Sequence, residues 1–139
     1  MKKILLLPVI TVVFLCCTNA KKEVTDIKDT KIALRADTVN VVKLTDTLVI
    51  NESTCRGCAY ENSTAFAIKD SLNVIKLLTV ETSDTNPPDM AGGNISKRLI
   101  LIPVKAGTTN LKMYKFWKGI PATVTDSIPF TPYTIEVRN

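Results

Sequence analysis

Between Thr38 and Val137 the chain repeats one pattern: short runs rich in Val, Ile, Leu and Thr, broken by clusters of Gly, Pro, Asn, Asp and Ser. The runs are TVNVVKL (38–44), TLVIN (47–51), TAFAIK (64–69), LNVIKLLTVET (72–82), RLILIPV (98–104), TNLKMYKF (109–116) and YTIEV (133–137). β-Branched residues suit a pleated, half-buried surface, and alternation with period two sends one face into a core. The last run shows this best, with Tyr133, Ile135 and Val137 on one side and Thr134, Glu136 and Arg138 on the other. Glycines fall between the runs, as do most prolines, and Pro103 sits near a strand end where a missing N–H is tolerated. SLNVIKLLTV (71–80) is ambiguous by period, but its β-branched content favours a strand. KAGT (105–108) predicts a hairpin, with Gly107 supplying the permissive backbone. About seven short strands in roughly 100 residues, with near-regular turn signals, predict an all-β fold, an antiparallel β-sandwich.

Upstream of Thr38 the pattern stops. TNAKKEVTDIKDTKIALRAD (18–37) is polar and charged with scattered apolar residues and reads as a tether, with a short helix in IKDTKIALRA (27–36) as an alternative that lacks a convincing apolar face. Before it, Lys2 and Lys3 precede an apolar run from Ile4 to Leu15. That run, at about 12 residues, is too short to cross a bilayer and has the form of an export signal. The cysteines that end it resemble the processing site of a bacterial lipoprotein. Cys16 would place bulky Leu15 before the cut, whereas Cys17 places the smaller Cys16 there, so Cys17 is the expected lipidation site. Ordinary cleavage after Ala20, giving a secreted protein, is the alternative. The expected plan is a signal over 1–17, a tether over 18–37 and a sandwich over 38–139, lipid-anchored to a membrane of the bacterial cell envelope, in the periplasm or at the outer membrane.

Composition sharpens this mainly by what it removes. The chain has no histidine, which excludes Ser-His-Asp and Cys-His catalysis, His-bearing zinc sites and C-x-x-C-H haem attachment. No other catalytic constellation stands out, so the protein reads as non-enzymatic, with no cofactor and no metal expected. The net charge of +5 includes Lys2 and Lys3, and the remaining excess is spread along the chain. Without clustered Lys and Arg interleaved with aromatics, nucleic acid is not an expected partner.

Cys55 and Cys58 are the two cysteines outside the signal. In an oxidising compartment they are expected to bond to each other, with Gly57 easing the tight ring. A redox pair would need a helix starting at the cysteines, and a zinc site would need four ligands. The surroundings are strand, loop, strand, which favours a local staple.

DMAGGNISKRLILIPVKAGTTNLKMYKFWKG (89–119) resembles the corresponding stretch of chagasin-type inhibitors of papain-like cysteine peptidases. Gly92 and Gly93 match that family's Gly-rich loop, Gly107, Leu111 and Tyr114 its scaffold, and Trp117 its loop tryptophan. Lys115 and Phe116 stand where Arg and Pro are usual. Asn51 and Thr54 answer to an Asn and a Thr of the first loop, but Glu52 replaces its Pro and CRGC interrupts the turn. The resemblance implies an immunoglobulin-like sandwich whose loops 51–62, 86–96 and 115–122 group at one end and plug a peptidase cleft. The implied binding residues are Asn51, Thr54, Gly92, Gly93, Lys115, Phe116 and Trp117. Other readings are an accessory envelope lipoprotein that binds a partner protein or glycan, and a thiol–disulfide protein using Cys55 and Cys58. Trp117 itself is open between loop and core: Lys115 would break an apolar stripe, which suggests that the strand ends near Tyr114.

Overall fold

The computed structural model of the protein describes residues 31–139. The expected export signal, Cys17 and most of the expected tether lie outside the described residues. Eight strands follow in chain order: β1 (Lys31–Ala33), β2 (Val39–Lys43), β3 (Thr47–Cys55), β4 (Ala65–Lys69), β5 (Ile75–Ser83), β6 (Asn94–Pro103), β7 (Gly107–Phe116) and β8 (Thr131–Arg138). They form two four-stranded sheets, β1-β3-β6-β5 and β2-β8-β7-β4. The sandwich is all-β, as the alternating pattern predicts, and 71–80 forms a turn and a strand rather than a helix.

Three features depart from the sequence reading. β1 falls inside the stretch expected to be tether, where Ile32 pairs beside Leu48 and Leu34 joins the core. Two pairs, β1 with β3 and β2 with β8, are parallel, so the sandwich is not wholly antiparallel. KAGT is a crossover between sheets rather than a hairpin. The reason is in the register: β6 already pairs with β3 on one side and β5 on the other, so β7 has no free edge to join and continues in the opposite sheet.

The core forms where the inner faces meet. Leu48 and Ile50 of β3 and Leu99 and Leu101 of β6 pack with Leu111 and Met113 of β7 and Ile135 and Val137 of β8. Each fully buried aliphatic side chain of this kind stabilises the fold by about 1.5–3 kcal/mol. In β8 the alternation is as expected, since Tyr133, Ile135 and Val137 are buried while Thr134 and Glu136 are half-exposed and Arg138 is exposed.

Two polar joints fix the corners. Asn40 donates to the carbonyls of Arg35, Thr38 and Thr134 and accepts from the N–H of Arg35 at 2.9 Å, which locks β2 onto β8. Asp70, in the β4–β5 corner, accepts from the N–H groups of Leu72, Val74 and Ile75 and from the Thr109 hydroxyl at 2.6 Å.

Strand direction positions everything else. β3, β5 and β7 run toward one end of the sandwich, and β4, β6 and β8 return from it. The connections 56–64, 84–93 and 117–130 therefore share that end, while 44–46, 70–74 and 104–106 turn at the other.

Candidate functional site

At the loop end the interior becomes polar. Inward positions that carry Leu48 and Ile50 lower on β3 carry Glu52 next, and β7 continues its Leu111–Met113 face with Lys115. Lys115 Nζ meets Glu52 Oε2 at 3.2 Å across the gap between the sheets and donates to the Ser53 carbonyl. Both side chains are mostly shielded, and a shielded charge requires such a partner. This pairing explains why β7 runs on to Phe116 rather than stopping near Tyr114. Lys115 does occupy the inner face, but its charge is met there.

On the outer face of the same sheet Tyr114 and Phe116 are buried, stacked 6.1 Å apart, with Phe130 tilted 5.6 Å from Tyr114. The connection 117–130 is fastened to this sheet by Asp126. Its carboxylate receives Lys112 at 2.8 Å, and Lys69 and the Tyr114 hydroxyl at 3.3 Å. The hydrogen bonds from Lys112 and then Lys69 hold the Asp126 carboxyl down at about 2.

The stapled connection 56–64 lies between the other two and is bonded to both. Cys55 closes β3, and the Cys55–Cys58 disulfide spans Cα atoms 5.8 Å apart. Toward the Gly-rich side, the Arg56 N–H donates to the Gly93 carbonyl at 2.9 Å and its guanidinium pairs with Asp84 at 2.9 Å. Hydrogen bonds from the backbone and side chain of Asn86, and then the charge of Arg56, hold the Asp84 carboxyl below its ordinary value. Toward the tryptophan side, Ser63 donates to the Trp117 carbonyl at 2.6 Å and its own carbonyl accepts from Gly119 N–H at 2.7 Å. Tyr60 leans on Trp117, with ring centroids 6.3 Å apart.

Trp117 is half exposed, at 50%, and lies on the loop. Beside it opens a groove of about 840 Å³ lined by the disulfide, Tyr60, Phe116, Trp117, Ile120, Pro121 and Ile128. Its walls are mostly apolar, and Lys115 and Lys118 also line it. Lys115 sits 5.1 Å from the Trp117 ring centroid and Lys118 sits 5.8 Å from that of Tyr60, so cations border an apolar floor. Such an arrangement can bind an apolar surface, and its loops arrive already tied together.

The sequence-predicted residues divide in two. Gly92, Gly93, Lys115, Trp117, Cys55 and Cys58 reach the loop end together. Asn51 and Thr54 do not belong to a loop: both lie within β3, Asn51 on its outer face opposite Arg98 and Thr54 buried. Phe116 supports the groove from below as a buried residue of β7. Tyr60, Ser63, Ile120, Pro121 and Ile128 were not singled out from the sequence. Only the density of apolar residues in GIPA and SIPF (119–122 and 127–130) marked part of that set.

Fold and surface together define a β-sandwich that presents three loops at one end, the stapled one bonded to both of the others. No protein-family model and no curated protein matches the chain. Among solved structures, the crystal structure of the cysteine protease inhibitor EhICP2 from Entamoeba histolytica is similar, with TM-score 0.54 and 17% identity, over 78% of this chain and 95% of that one. The solution structure of amebosin aligns with TM-score 0.49 and 11% identity, over 78% of this chain and 97% of that one. The likeness to EhICP2 is one of fold. The sandwich that the resemblance of residues 89–119 implies is thus the fold of a cysteine protease inhibitor as well.

Proposed function

We propose that this protein is an exported, non-enzymatic inhibitor of papain-like cysteine peptidases that inserts its three-loop end into the peptidase cleft. One observation carries the reading: connection 56–64 is hydrogen-bonded directly to 84–93 on one side and to 117–130, with its half-exposed Trp117, on the other. Ordering loose loops on binding costs affinity, so loops fixed in advance suit an inhibitor. Tryptophan is among the commonest interface anchors, and Trp117 stands beside an apolar groove with no packing duty in the core. EhICP2, a cysteine protease inhibitor, has the same fold. Anchoring through Cys17 would hold the inhibitor at the envelope, and Cys17→Ser should then move it from the membrane fraction to the soluble one.

The thiol–disulfide reading has less support. A thioredoxin-type pair needs a helix beginning at the cysteines, and here Cys55 ends a strand and turns lead into β4.

Inhibition of papain by residues 18–139, compared with the Trp117→Ala form, tests the proposal. The expected result is inhibition at sub-micromolar concentration, weakened by at least about tenfold in the variant, as for a truncated interface anchor. An absence of inhibition at micromolar concentration rejects it.

A further inference from the structure

Arg56 contributes more bonds to the neighbouring connection than to its own. Besides the N–H bond to Gly93 and the ion pair with Asp84, its Nη1 donates to the carbonyls of Pro87 at 3.0 Å and Met90 at 2.6 Å. These bonds reach the start, the middle and the end of connection 84–93. The Arg56 side chain is only 18% exposed.

The connection it holds has no core of its own. Pro87, Pro88, Asp89, Met90 and Ala91 are all exposed. Its base is closed by Asn86, which donates to Asp84 at 2.7 Å and to the Asn94 carbonyl at 2.8 Å. Gly93 passes so close that a Cβ there would lie 2.9 Å from Asn86 Oδ1, and its φ is +101°. A loop without packing beneath it is ordered by polar ties, and the fork of a guanidinium can satisfy several carbonyls and a carboxylate at once where an ammonium cannot.

Arg56 also lies inside the disulfide ring. With Cys55 fixed at the end of β3 and Cys58 bonded back to it, the direction in which Arg56 leaves the strand is constrained on both sides. Gly57, at φ +73° and with its N–H on Glu61, completes that turn.

We infer that Arg56 is the positioning residue of the Gly-rich connection and that the Cys55–Cys58 bond holds it in place, so that reducing this bond loosens connections 56–64 and 84–93 together. The consequence for binding rests on the reading of this end as the inhibitory surface; the consequence for loop order does not. The redox step is ordinary exchange. A thiolate of a dithiol reductant attacks one cysteine sulfur, and the second reductant thiol resolves the mixed disulfide. The reductant ends as a cyclic disulfide, and Cys55 and Cys58 each end as a thiol, two electrons and two protons having passed to the protein. A ring closed over so few residues restrains little of the unfolded chain, so its effect is local and reduction leaves the sandwich folded.

The test is 15N relaxation on residues 18–139 in four states: oxidised, reduced with dithiothreitol, Arg56→Ala and Arg56→Lys. Papain inhibition is measured on the same samples. In the oxidised protein, amides of 84–93 should show order parameters near 0.85, falling below about 0.6 in Arg56→Ala and on reduction, while strand amides stay unchanged. Arg56→Lys should fall between, because it restores the charge opposite Asp84 without the fork. Where the wild type inhibits, the inhibition constant should rise by roughly tenfold or more in Arg56→Ala through lost pre-organisation. If the wild type fails to inhibit, the inhibitor reading fails and relaxation alone decides the present one. Order parameters unchanged in Arg56→Ala would overturn the positioning role, and order parameters unchanged on reduction would overturn the part assigned to the disulfide.

Discussion

Lys115 shows how a single residue can mislead a pattern and still obey the physics behind it. A lysine on an apolar stripe argues for the end of a strand, and the strand instead continues to Phe116 because Glu52 comes from the facing sheet to meet the charge. No spacing in the sequence connects residue 52 to residue 115. Asn40 is the opposite case, a polar residue in a run of valines whose four hydrogen bonds replace what alternation would supply by burial. Replacing it leaves the carbonyls of Arg35 and Thr134 and the Arg35 N–H without their partner. Asn40→Ala should therefore destabilise the fold by about 1–3 kcal/mol, measured as a shift in the urea midpoint with an unchanged slope.

At the scale of elements, the strands were the legible part and their ends were not. All seven hydrophobic runs became strands, since period-two alternation and β-branching report directly on half-buried extended chain. β1 escaped notice because a three-residue strand is too short to show a period. KAGT looked like a hairpin because a local turn signal cannot say which sheet the next strand joins. The β4–β5 corner depends on Asp70. Burial works against its ionisation, but bonds from Thr109 and from the N–H groups of Ile75, Leu72 and Val74 together outweigh it and hold the carboxyl below 3.8. A carboxyl lowered in the folded state stabilises the fold fully above its unfolded value and loses that contribution as pH falls through the folded one. The difference in thermal midpoint between wild type and Asp70→Asn should accordingly be largest near pH 6 and shrink toward pH 3. A difference that is flat across that range would show that the corner does not depend on the charge.

For the whole molecule, strand direction sets where the candidate site lies. Because β3, β5 and β7 all run one way, three connections scattered along the sequence meet at one end, and the first of them bonds to both neighbours through Arg56 and Ser63. The sequence carried the glycines and the tryptophan of this end through a family resemblance, and the cysteines through their own spacing, since CRGC departs from that family's first loop. It could not show that Asn51 and Thr54 belong to a strand that outlasts its apolar run, since polar residues continue β3 through pairing with β6. Nor could it show the groove, whose walls come from residues scattered between 55 and 128. The most direct measurement is the hydrogen-exchange footprint of residues 18–139 bound to papain. New protection confined to 56–64, 84–93 and 117–121 is the expected result, with the turns 44–46, 70–74 and 104–106 unchanged. Protection at those opposite turns, or on an open face of either sheet, would contradict the assignment of binding to the three-loop end.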